Sequence, residues 1–478
     1  MAATTAAHED KAKRAVRGAF FGFFVDMFDI YLPVVVLAPA IKYFVSPDLS
    51  DSATSLVTGA IFAATLVGRP VGAAIFGHFA DRVGRKKMTI VSVSGFGILT
   101  VLIGCLPGYA TWGVASVVLF IALRFIVGVF VGGEYTSASP LAMEYSAKER
   151  RAQNSARIMV GFPLAFFTIS GLTLLMLQVA PSGDPSAPYS VWGWRIPFFV
   201  GGLIALAFVV YFARQVEESE VFEAEGGSDD APIKQLFSRD VIGHFAQVFV
   251  LMTGFWLSLN TVTAILPEVL KDTVGLSATN ASLALMIAAL ANAGGYLTVG
   301  YLAQRFGRRP FLIAWGLSAA VIGTFVYWTL LHFTPSGLAA VILLTALTVV
   351  LVGPCWAMIT AYINERFHTG IRASGFGLGY SLAVVIPSFY AFYQSLLGHV
   401  MSSTYTVLPL LVIGGLLITI GGALGPETRD VDLGEGVSEA PAAEREPRFS
   451  REPAAAPVGG AAAGAATGVA MSREERAR

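Results

Sequence analysis

GHFADRVGRKK (77–87) and GYLAQRFGRRP (300–310) are two copies of one loop, and they decide how the chain is read. Gly77 aligns with Gly300, Ala80 with Ala303, Arg82 with Arg305, Gly84 with Gly307 and Arg85 with Arg308. Each copy joins apolar runs, and each falls at the same place in its half of the sequence. The glycines permit a tight turn, and the basic residues hold the loop in the headgroup region. Asp81 is placed to pair with a basic neighbour or to cap a helix N-terminus; the second copy has Gln304 there. A repeated six-helix unit is the architecture of a carrier, because a site between two similar halves faces either side of a membrane by rocking.

Outward from these loops, apolar runs of about 20 residues, enough to cross a hydrocarbon core, recur near 18–45, 54–80, 88–107, 113–145, 155–179 and 193–214. A second set follows near 241–270, 279–303, 310–332, 336–364, 373–400 and 404–425. The expected fold is all-α and integral to a membrane, with about twelve transmembrane helices in two six-helix bundles. Residues 1–17 form an N-terminal segment, 18–214 the first bundle, 215–240 a charged linker and 241–427 the second bundle. The tail 428–478, rich in Ala, Gly, Pro, Glu and Arg, buries too little apolar surface to fold alone and is expected to be disordered.

Composition agrees. Of 478 residues 55% are hydrophobic and 13% charged, with mean hydropathy +0.67. Soluble domains carry about 25% charge, so lipid must act as part of the solvent. The net charge of zero says nothing about partners. Cys105 and Cys355 read as buried thiols, too few for a disulfide framework or a metal site. The polar N-terminus lacks the short apolar core and cleavage site of a signal peptide.

Basic residues set the orientation. Lys11, Lys13, Arg14, Arg17, Arg82, Arg85, Lys86, Lys87, Lys148, Arg150, Arg151, Arg305, Arg308, Arg309, Arg366 and Arg372 fall on one side. The other receives Lys42, Arg195 and Lys271. The positive-inside rule puts both termini in the cytoplasm of a multi-pass protein in the cytoplasmic (inner) membrane.

The stretch G-x-x-A-D-R-x-G-R-K at 77–86 resembles the signature loop of the major facilitator superfamily. VGRPVGAAIFGHFADRVGRKK, GGEYTSASPLAMEYSAKERR, WGWRIPFFVGG and VEESEVFE are similar to segments of its metabolite:proton symporter family, as is the E-x-F-x-x-x-x-R segment Glu365–Arg372. The resemblance implies import of dicarboxylates, tricarboxylates, shikimate-like acids or zwitterionic osmolytes. The first helix departs from that family: Asp26-Met27-Phe28-Asp29 is closer to the D-G-Y-D pattern of aromatic-acid:proton symporters.

Ionisable residues inside spanning segments are costly unless they face a cavity or a partner. Asp26 and Asp29 lie on one face of the first helix. Two carboxylates this close resist joint ionisation, so the pair is a proton-carrier candidate; the alternative is that each pairs with Arg or Lys and locks the bundle. Arg124, in mid-helix, is suited to hold a carboxylate in a bidentate manner or to pair with those aspartates. Arg69 is a second anion-binding candidate, matching the family's Arg-Pro. Glu134 is assigned to proton transfer or to bracing a gate. Asn260, Tyr362 and Tyr390 are candidates for the pocket lining. Gly77, Asp81, Arg82, Gly84, Arg85, Glu144, Arg305, Arg308, Glu365 and Arg372 form the expected conformational gate.

No G-x-x-x-x-G-K-[ST] appears, so a proton gradient rather than ATP is the expected driving force, and no cofactor is expected. No catalytic constellation is visible, which argues against an enzyme. The expected function is proton-coupled uptake of a small organic anion such as a carboxylate. A proline or betaine symporter, a drug exporter and a transporter-like nutrient sensor are the rivals. The expected partners are the substrate, the proton and the bilayer, with no nucleic acid, and one chain holds enough helices to function as a monomer.

Overall fold

The computed structural model describes residues 2–83, 85–215, 236–333, 337–367 and 371–433. Gly84, most of the linker and the tail beyond 433 lie outside them, as do the side chains of Gly77, Asp81, Arg82, Arg85 and Glu134. Among the described residues there are helices and no strands.

Among the described residues twelve spans are long and apolar enough to cross a membrane. In the first half they are α1 Ala12–Leu37, α2 Asp51–Phe76, α3 Lys86–Gly104, α4 Val114–Gly133, α5 Lys148–Val179 and α6 Tyr189–Gln215. In the second they are α7 Ile242–Thr273, α8 Ala278–Phe306, α9 Arg308–His332, α10 Leu338–Arg366, α11 Ser374–Leu397 and α12 Ser403–Leu424. Runs of Ala, Leu, Val and Ile close their backbone hydrogen bonds within the helix, as a hydrocarbon solvent demands.

The sequence repeat is also a packing repeat. α2 packs on α4 as α8 packs on α10; α3 on α6 as α9 on α12; α1 on α5 as α7 on α11. The halves meet chiefly through α2 against α11 and α5 against α8. α1 and α7 are the most enclosed spans, 83% and 89% buried over their apolar windows. α3, α6, α9 and α12 turn large apolar side chains outward, among them Leu102, Leu203, Val321 and Ile420. That outer layer is the lipid-facing surface.

Two glycine positions explain the local geometry. Gly307 joins α8 to α9 with φ of +99°, a backbone conformation that side chains rarely adopt; it is the second-copy counterpart of Gly84. Gly68 and Gly72 of α2 face Gly128 and Gly132 of α4. A Cβ at Gly72 would overlap the Val129 carbonyl, and one at Gly132 the Arg69 carbonyl. Small residues four apart on both helices bring the backbones together, and Arg69 rides on that close contact.

Several spans deviate from regular α-helix, among them α9, α10 and α11. α10 tightens to a 3₁₀ turn at Gly353–Met358, where Pro354 cannot donate. α11 breaks around Pro387, and the Asn260 amide donates to the Pro387 carbonyl at 3.0 Å. α9 carries a π-helical turn at Ala319–Gly323. The expectation of two buried thiols holds for Cys355 alone. Cys105 is exposed, because it follows the end of α3 rather than sitting within it.

Candidate functional site

The buried charges of the first half form two separate ion pairs rather than one carboxylate dyad. Arg69 Nη2 of α2 donates to Asp26 Oδ2 at 3.1 Å, and both residues are fully buried. Arg124 of α4 donates from Nη1 to Asp29 Oδ2 at 3.0 Å and from Nη2 to the carbonyls of Asp29 at 3.0 Å and Ile30 at 3.4 Å. Asp29 Oδ1 also accepts from the Thr100 hydroxyl of α3. Asp29 is therefore supplied on both oxygens, and Arg124 is committed to α1. Asp26 Oδ1 is buried without a hydrogen-bond partner.

Arg69 also reaches the other half. Its guanidinium carbon lies 5.8 Å from the Trp256 ring of α7 and 5.5 Å from the Tyr380 ring of α11. Trp256, Trp356 and Tyr380 form one cluster with centroid separations of 4.8, 5.2 and 5.9 Å. The Trp256 indole nitrogen donates to the Tyr380 carbonyl at 3.1 Å. Cation–π contact of this kind strengthens when water is excluded. The Asp26–Arg69 pair thus sits where the halves touch, and the Asp29–Arg124 pair sits inside one half.

Both faces of the molecule are closed by contacts between halves. On the face that carries the basic loops, Glu365 Oε1 accepts from Arg308 at 3.1 Å and from Arg151 of the first half at 3.3 Å. Arg372 donates to Glu144 across the interface at 2.7 Å. Gln304 accepts from the Ala152 amide and donates to the Lys148 carbonyl, each at 3.0 Å. On the opposite face the Ser55 hydroxyl meets Glu268, Lys271 donates to the Ala38 carbonyl at 3.3 Å, and Tyr390 packs 5.9 Å from Phe62.

Residues 425–433 lie across the basic-loop face. Glu427 accepts from the backbone amides of Arg308 at 2.8 Å and Arg309 at 3.0 Å, capping α9. The Thr428 hydroxyl donates to Glu365 at 2.6 Å. Arg151 donates to the Val431 carbonyl at 2.9 Å and Arg372 to the Leu433 carbonyl at 3.0 Å. Thr428 and Leu433 are buried, so the sequence-based tail boundary at 428 falls inside a seated segment.

Of the expected pocket residues, Asn260 stands one helical turn beyond Trp256, and Tyr390 is buried toward the face opposite the basic loops. Tyr362 is not brought near Arg69; its hydroxyl accepts from Gln247 at 3.1 Å, beside the end of α12. Of the expected gate, Glu144, Arg308, Glu365 and Arg372 converge, whereas Arg305 lies over the Phe306 ring at 5.4 Å. Sequence reasoning gave no site role to Arg151, Thr428 or Glu427. The signal available for Glu427 was its place directly after the last apolar run, a position suited to capping a neighbouring helix.

Two six-helix halves that close over a buried charge pair define a membrane carrier. The sequence profile of the Major Facilitator Superfamily matches residues 19–391 and 245–471. The chain is 29% identical over 426 residues to the shikimate transporter of Escherichia coli, covering 87% of this chain and 94% of that one. It is 30% identical over 371 residues to the citrate-proton symporter of Klebsiella pneumoniae, covering 76% and 80%. The structure of the proton:xylose symporter XylE superposes with a TM-score of 0.69 at 19% identity, over 89% of this chain and 98% of that one. The chain belongs to the major facilitator superfamily, and it is an integral membrane transport protein.

Proposed function

We propose that this carrier takes up a small organic anion, a carboxylate, together with a proton. The observation that carries the reading is the buried Asp26–Arg69 pair at the contact between the halves. A proton entering from outside adds to Asp26 Oδ1, the oxygen that has no donor. Asp26 becomes neutral, and the Arg69 guanidinium is released to hold the substrate carboxylate. The loaded site then carries no uncompensated charge, so the halves can close over it and part on the other side. Loss of the proton to the cytoplasm returns Asp26 to Arg69 and expels the anion.

In this reading the gate is Glu144, Arg308, Glu365 and Arg372, joined by Arg151, and these pairs break when the basic-loop face opens. Asp29 and Arg124 hold α1 to α4. The protein sits in the cytoplasmic membrane with its basic loops in the cytoplasm and works as a single chain. Relatives named for shikimate, citrate and alpha-ketoglutarate support a carboxylate cargo, and relatives named for proline and betaine keep the osmolyte rival in view.

The test is reconstitution in liposomes with pH recorded on both sides as aliphatic, aromatic and shikimate-like acids and proline betaine are added. External alkalinisation dependent on one acid is expected. Accumulation without proton movement would overturn the coupling, and a response to proline betaine alone would overturn the anion.

A further inference from the structure

The two faces are closed by different chemistry. On the basic-loop face the acids that join the halves, Glu365 and Glu144, meet guanidinium groups. On the opposite face the acid is Glu268, near the end of α7, and its partner across the interface is the Ser55 hydroxyl of α2. Among the described residues Glu268 makes no ion pair. Lys271 lies about one turn further along the same helix. Its ammonium pairs with Asp272 at 3.4 Å and donates to the Ala38 carbonyl at 3.3 Å. The charged and titratable groups within electrostatic reach of Glu268 are Lys271 and Asp272 of its own helix and Tyr390 of α11.

Glu268 is half-buried in this closed arrangement. Parting the halves on this face takes Ser55 away and lets water reach the carboxyl group. Closing strips that water and returns one neutral donor. A charged carboxylate loses more by such an exchange than a carboxylic acid does. The Ser55 hydroxyl can donate to an oxygen of either form. Closure therefore favours the protonated acid, and by linkage protonation favours closure. Glu144 and Glu365, in contrast, have their counter-charges beside them in the closed form.

Glu268 is also separate from the charge pair. The Tyr390 ring packs 5.9 Å from Phe62, and Phe62 packs 5.6 Å from Tyr31. Tyr390 is within electrostatic reach of Glu268, and Tyr31 within reach of Asp26. The two carboxyl groups thus stand at opposite ends of a run of three rings.

We infer that Glu268 is a second proton-binding site, one that licenses closure of the face opposite the basic loops and whose proton is not carried across. The proton comes from water on that side while the face is open, and returns there when the face reopens. The place of this step in a transport cycle rests on the proton-coupled reading above. Asp26 holds the proton that travels with the cargo, and Glu268 holds the one that shuts the face behind it. The number of protons moved per substrate is then independent of Glu268.

The test places spin labels at Asp48→Cys and Ser402→Cys, exposed positions on that face in the first and second halves, in the full chain lacking Cys105 and Cys355. Distances between the labels are measured in nanodiscs without substrate between about pH 5 and 8. The open population is expected to fall with falling pH, by up to about tenfold per pH unit, the limit for one proton. Glu268→Gln, which can still accept from Ser55, should stay closed at every pH. Glu268→Ala should also lose the pH dependence. Asp26→Asn should keep it. A pH dependence that survives Glu268→Gln, or that disappears in Asp26→Asn, would overturn the inference, as would distances that do not change with pH in the parent chain. Substrate accumulation in liposomes without proton movement, with the label distances responding as expected, would overturn the symport reading and leave the proton site on Glu268 standing.

Discussion

Asp26 and Asp29 stand three residues apart on α1 and differ in their supply of donors. Asp29 receives Arg124 and Thr100, one on each oxygen, whereas Asp26 receives Arg69 on Oδ2 alone. The difference separates two substitutions that look alike in sequence. Asp26→Asn should abolish accumulation driven by a proton gradient and preserve exchange of labelled substrate; it leaves the buried Arg69 without its counter-charge, so it too should lower the melting temperature. Asp29→Asn weakens a buried pair and should destabilise the first half by about 3–5 kcal/mol, the usual range for a broken buried ion pair. Counterflow in liposomes checks the contrast, and a thermal melt of each variant checks its stability; loss of proton-driven accumulation in Asp29→Asn with accumulation intact in Asp26→Asn would reassign the proton to Asp29.

Arg69→Lys keeps the charge but loses the planar fork that a carboxylate can grip with two bonds. Substrate affinity should fall about tenfold or more, while the fold survives because Lys can still pair with Asp26. Binding by calorimetry reads the first and a melt reads the second.

The Arg372–Glu144 bond at 2.7 Å ties the halves on the basic-loop face. Charge-assisted bonds of this kind contribute about 1.5–3 kcal/mol. Glu144→Gln should therefore shift the population toward the form open on that face by about tenfold or more. The labelling rate of a cysteine placed at Ser155, in a background lacking Cys105 and Cys355, measures it. An unchanged rate would show that the bond does not govern opening.

Glu427 caps α9 through the amides of Arg308 and Arg309. Glu427→Ala should cost about 1 kcal/mol of stability, typical for a lost cap. It should also loosen the segment that follows, which limited proteolysis after Leu433 and before Thr428 would register.

Arg429 beside Asp430 holds the Asp430 carboxyl below its ordinary range. The sign follows: a depressed carboxylate contributes above its unfolded pKa, and the contribution is lost only as pH falls through the lowered value. Between about pH 6 and 8 the pair is constant. The pH dependence of transport in that window should survive Asp430→Asn; its disappearance would place pH sensing in this segment.

The helices and the two-fold repeat were legible because a hydrocarbon solvent forces long uninterrupted apolar runs. Arg69, Arg124, Asp26 and Asp29 were legible for the same reason, as charges that such runs seldom tolerate. Their pairing was not. Which arginine meets which aspartate depends on how α2 and α4 are turned against α1; Gly72 and Gly132 fix α2 against α4, and no local pattern records how that pair meets α1. Arg151 looked like an ordinary positive-inside residue, since nothing local to it records Glu365, far away in sequence. Tyr362 was read as pocket lining on its residue type, yet the end of α10 carries it to Gln247. Val431 and Leu433 contribute carbonyl oxygens, which every residue possesses and no motif marks.

The segment 425–433 also fixes a concentration. It is tethered to the end of α12 by its own backbone, so its return to Arg151 and Arg372 is an intramolecular event. Short flexible tethers give effective concentrations on the order of millimolar. A free peptide of the same sequence would have to approach that level to compete, and at lower levels the covalent copy reseats first each time the face closes.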